Sequence, residues 1–112
     1  MENFAGLHLV TLITTTVGSV DDAERIADAA VAQRLAACVQ VLPVRSHYRW
    51  QGALQRETEW RLECKTAPER TDDLIALLQR LHPYALPELV IQSLRADSTY
   101  AAWVAQETAS GG

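Results

Sequence analysis

The stretch LHPYALPE, Leu81 to Glu88, concentrates the side chains best suited to chemistry. Pro83 and Pro87 restrict the backbone on either side of Tyr84, which holds His82, Tyr84 and Glu88 in a narrow range of relative positions. An imidazole and a carboxylate presented this way can ligate a divalent transition metal, with Cys38 as a third ligand if the fold brings it near. Structural roles compete with that reading. His82 can close a helix by bonding a carbonyl, and Glu88 can pair with a neighbour. Cys38 follows Ala36 and Ala37 and also reads as a small buried hydrophobe, while Cys64 alternates with Trp60 and Leu62 and belongs to the core.

No other chemistry is spelled out. The chain has no GxSxG, GxGxxG, phosphate-binding loop or HExxH, and its serines stand at caps and turns. Tyr48, Trp50 and Trp60 could stack nucleic-acid bases, but the first strand brings no aromatic and the neighbouring charges are mostly acidic, so packing between subunits is the expected role. The stripe Glu57, Glu59, Arg61, Glu63, Lys65 reads as a solvated or intersubunit salt-bridged face. An acylphosphatase would need an arginine in the loop after the first strand. That loop is TTVGSVDD, acidic and without arginine.

The 112 residues suit one domain, 1–112, with an ordered core over about 7–108. Apolar residues make up 48% and charged residues 21%, which excludes wholesale disorder. Ten basic against 14 acidic residues give a net charge of -4, so neither nucleic acid nor an anionic membrane is an expected partner. Two cysteines make no disulfide framework, and no signal peptide or apolar membrane span is visible. A cytoplasmic protein with reduced thiols is expected.

The elements that must position these residues follow from periodicity. Leu7 to Thr16 is β-branched on both faces and reads as a central strand. Ser19 or Asp21 caps a helix whose apolar stripe runs from Val20 to Leu35, with Arg34 placed to suit its C-terminal dipole. Cys38–Trp50 and Leu54–Thr66 form a long hairpin about Gln51-Gly52, and Pro43 marks a bulge or an edge. A second helix starts at Pro68 and stops at His82-Pro83. Leu89–Leu94 is a fourth strand, and Asp97–Thr108 a last helix ahead of a flexible tail from Ala109. The order β-α-β-β-α-β predicts an α+β, ferredoxin-like sandwich with a C-terminal helix. Hairpin strands of this length, against the usual five or six residues or about that, leave bare edges that call for a second chain.

Five segments together resemble the CutA family of divalent-cation tolerance proteins: RLAACVQVLP (34–43), SHYRWQG (46–52), EWRLECKT (59–66), HPYALPE (82–88) and YAAW (100–103). The resemblance runs from about Leu9 to Val104. It implies a cytoplasmic, non-enzymatic homotrimer related to the PII signalling proteins, with copper binding as the role proposed for some members. In those members the proposed ligands include a cysteine near the end of the first strand and a histidine pair. Here Thr14, Thr15 and Thr16 occupy that strand region and Leu81 precedes His82, so only His82 of the set is retained. The metal reading therefore rests on His82, Cys38 and Glu88. The alternative is a PII-like regulatory module that binds a small ligand or a partner protein at an intersubunit cleft, with Arg45, Arg49 and Lys65 supplying charge for an anion.

Overall fold

The computed structural model describes residues 8–110, so Leu7 of the expected first strand and the final Gly111-Gly112 lie outside it. The elements are β1 (Leu9–Val17), α1 (Val20–Ala32), β2 (Cys38–Trp50), β3 (Ala53–Thr66), a short 3-10 turn (Pro68–Arg70), α2 (Thr71–Leu81), β4 (Val90–Arg95) and α3 (Ser98–Glu107). The four strands form one sheet in the order β2-β3-β1-β4, every pair antiparallel. This is the expected α+β, ferredoxin-like arrangement, with β1 central.

Local chemistry explains the boundaries. Ser19 caps α1 by accepting a hydrogen bond from the Asp22 amide at 3.1 Å. The α2 helix begins later than expected: Pro68 starts a 3-10 turn, and no side chain caps either Ala67 or Arg70. Arg34 does not serve the α1 dipole, because α1 ends at Ala32 and Arg34 lies beyond it with φ 58°. Its guanidinium instead donates to the Gln106 carbonyl of α3 at 2.8 Å, tying the two helix ends together. Gln51 and Gly52, with φ of 50° and 80°, make the two-residue turn whose twist matches the hairpin. Pro43 pairs with Trp60 in unbroken register, so it marks an edge strand and not a bulge.

One sheet face packs under α1 and α2. Ile13, Leu62 and Cys64 meet Ile26, Ala30, Leu74, Leu77 and Leu78 there, all buried. Strand alternation sends Val10, Lys65 and their neighbours to the other face, where Lys65 lies over the Tyr100 ring of α3. β1 stops at Val17, opposite Trp60, while β2 and β3 continue to the turn. All six residues of β4 are exposed, including Val90, Ile91 and Leu94. The sheet therefore has an overhanging hairpin at one side and an uncovered apolar strand at the other.

Leu78 is fully buried in this core, whereas Leu86 is 70% exposed. Leu78→Ala should cost about 2–5 kcal/mol, and Leu86→Ala should stay within about 0.5 kcal/mol of the parent. Urea unfolding of both variants at one fixed protein concentration checks the contrast. Equal losses would show that the core is not where it is described.

Candidate functional site

Past the end of β1, the space beside the hairpin is closed by the loop that follows α2. The result is a cleft of about 1120 Å³ whose lining includes Tyr48, Trp50, Glu57, Glu59, Tyr84 and Glu88. Register explains the hairpin's contribution. Glu59 pairs with Val44, Glu57 with Ser46 and Gln55 with Tyr48, and paired residues share a face. Arg45, His47, Arg49 and Arg56 alternate to the other face. Of these, Arg49 and His47 still reach the cleft lining, and Arg45 does not.

His82 holds the loop in place through both ring nitrogens. Nδ1 accepts from the Tyr84 amide at 3.1 Å, so it carries the lone pair. Nε2 must then hold the proton, and it donates to the Thr16 carbonyl at 2.9 Å, with Thr15 Oγ1 at 3.0 Å. The hydrogen-bond network thus assigns a neutral imidazole of one tautomer. Burial pulls its pKa below the ordinary 6.5, opposed in part by the Thr16 carbonyl.

From this anchor Tyr84 reaches past the end of β1 and donates from its phenol to Glu59 at 2.8 Å. The path crosses Gly18, where an added Cβ would sit 3.2 Å from the Tyr84 oxygen. Burial and the Glu59 carboxylate both raise the Tyr84 pKa. On the opposite wall the Tyr48 phenol donates to Glu57, and that bond is the main reason its pKa is pushed up to about 12.

Glu59 departs from expectation. Only 6% exposed, it is not part of a solvated stripe. Elsewhere on the stripe Arg61, Glu63 and Lys65 are half-buried, with Arg61 3.7 Å from Glu63 of the same strand and Lys65 bonded to Gln40 at 3.2 Å. The signal for Glu59 was the position one residue beyond the β1–β3 pairing, which only the register supplies.

The three residues read as metal ligands are not brought together. Cys38 pairs with Lys65, which in turn faces Leu12 of β1, four residues from the Thr16 that His82 contacts. At strand rise that is about 13 Å along the sheet. Cys38 is half-buried rather than buried, Cys64 is fully buried as expected, and Glu88 stands exposed in the cleft loop. Among the described residues no three His, Cys, Asp or Glu side chains converge as ion ligands. With both nitrogens of His82 engaged, the donor set does not fit a resident copper ion within one protomer. Of the three cations read as an anion's partners, Arg49 lines this cleft of the single protomer, Arg45 does not, and Lys65 sits over the Tyr100 ring.

Comparison with known proteins places this architecture in context. The model of the family described as CutA1 divalent ion tolerance protein matches residues 11–107. A divalent-cation tolerance protein CutA of Thermus thermophilus is 36% identical over 87% of this chain and 96% of its own length. The solved structure of CutA from Synechococcus elongatus superposes with a TM-score of 0.87 at 43% identity, covering 91% of this chain and 92% of its own. A protein of Nostoc sp. described as PII-like, solved in apo form, gives 0.84 at 32% identity over 88% and 96%.

Two outcomes follow from the site. Tyr84→Phe removes the one hydrogen bond described for the buried Glu59 carboxylate and should lower stability by about 1–3 kcal/mol in urea unfolding. A neutral result would mean that Glu59 is solvated. For His82 the native pKa is lowered, so the native ring stays neutral where the unfolded ring takes a proton. Its contribution is complete above pH 6.5 and is lost as pH falls through the lowered native value. The stability difference between parent and His82→Gln should therefore shrink as pH drops from about 7.5 to about 5.5. A constant difference would contradict the assignment.

Proposed function

Because the chain belongs to the CutA family of divalent ion tolerance proteins, we propose that it works as a non-enzymatic homotrimer, a PII-like module whose clefts bind a small ligand. The observation that carries this reading is the incomplete sheet. Beyond Trp60 the hairpin has lost its β1 partner, so β3 from Ala53 to Glu59 has no strand on that side, and Leu54, on the hairpin face away from Tyr48 and Trp50, stands 53% exposed. At the opposite edge, β4 presents Val90, Ile91 and Leu94 uncovered. An apolar overhang and an apolar edge on one chain can satisfy each other only between copies, and a cyclic arrangement leaves no edge free.

The cleft sits where the overhang begins, so assembly would shape its outer wall. Its volume is of the size that takes organic ligands, and aromatic walls with a few fixed polar groups are the usual lining of such sites. In this reading the part played in divalent-cation tolerance runs through ligand binding. It does not run through a copper ion held by His82, Cys38 and Glu88 of one protomer. The committed protein ligands of His82 are the reason.

Native mass spectrometry of the reduced protein is the test. A species at three times the 12.4 kDa chain mass is expected, and Val90→Asp should shift it towards smaller species. A monomer at working concentration would overturn the assembly. Uptake of one copper per chain that is abolished by His82→Ala, with the trimer intact, would overturn the ligand-module reading in favour of a metal site.

A further inference from the structure

The Glu59 carboxylate is buried to nine-tenths, lines the cleft, and has no cationic side chain within salt-bridge distance among the described residues. Its described hydrogen bond comes from the neutral phenol of Tyr84. A buried carboxylate without a counter-charge is costly unless something positive completes it. Glu57, on the same hairpin face, and Glu88, on the facing loop, add further negative charge, against Arg49 as the single arginine or lysine of the lining. Both phenols in the cleft already donate to carboxylates, so their hydroxyls contribute no free donor for an anion. The Tyr48 and Trp50 side chains remain exposed beside these acids.

Resting on the reading of the cleft as a ligand site, we infer that its ligand is an organic ammonium cation, an amine or polyamine. The ammonium group sits against Glu57 and Glu59, and the carbon chain lies along Tyr48 and Trp50. Charge-assisted hydrogen bonds to the free carboxylate oxygens fix the head group. The aromatic faces hold the chain and attract the cation. An inorganic divalent ion is the poorer fit. No three ligands converge for it, and the cleft is far larger than an ion requires.

The test is isothermal titration of the assembled protein with putrescine and spermidine, beside citrate, ATP, magnesium and copper at matched ionic strength. Saturable binding of the amines is expected. Glu59→Gln, which can still accept the Tyr84 hydrogen bond, should weaken it roughly tenfold or more. Glu57→Gln, at an exposed position, should also weaken it and guards against a folding defect in the first variant. Amine binding that both variants leave unchanged, or that vanishes at moderate salt as bulk screening would make it, would overturn the inference. Binding of citrate or ATP, lost in Trp50→Ala and with no amine binding, would overturn the ammonium assignment while leaving the ligand-module reading in place. No saturable binding of any probe would remove both.

Discussion

β1 ends at Val17, opposite Trp60, whereas the two strands beside it run on to the turn at Gln51-Gly52. That difference in length organises the rest of the molecule. Where β1 lies beside the hairpin beneath the helices, side chains of one sheet face fill a core. Where only the hairpin continues, β3 loses its neighbour in the sheet. The loop after α2 can then fold round the end of β1 and meet the hairpin from the far side. Overhang, cleft and the unpaired side of β3 are one consequence of a strand that stops early.

The loop can make that approach because its start is fixed. His82 is bonded to the last turns of β1 through one nitrogen and to its own loop through the other. The prolines on either side of Tyr84 remove most of the remaining freedom. Gly18 supplies the clearance through which the phenol reaches Glu59. A histidine that could have been a metal ligand is spent as a splice between a strand and a loop. The chemistry left over in the cleft is carboxylate and aromatic.

The order of elements, the central place of β1 and the antiparallel sheet were legible in the sequence, because β-branched runs and helical stripes have different periods. The length of the hairpin was legible too, and with it the unpaired edge it leaves beyond the end of β1. Pro43 showed that β2 had something to do with an edge, but pattern alone could not separate an edge from a bulge. The site was harder. Glu59 sits in an alternating charged run, and alternation states which face a residue is on without stating what covers that face. Cys38 and His82 were plausible partners by residue type, and only the register separates them along the sheet. Arg34 illustrates the same limit: its distance from α3 in the chain hides a contact that crosses 72 residues.

β3 passes without interruption from Glu59 in the cleft to Leu62 and Cys64 in the core, and from Trp60 onward it is paired with a neighbour on each side. One backbone therefore belongs to two environments that would otherwise be independent. Opening fluctuations that expose the core must also loosen the floor of the cleft, since the strand cannot release one without straining the other. By the same linkage, anything that settles in the cleft slows the breathing of the core from which it is several residues removed. The strand acts as a stiff shaft, and occupancy at its free end is felt as rigidity at the buried one.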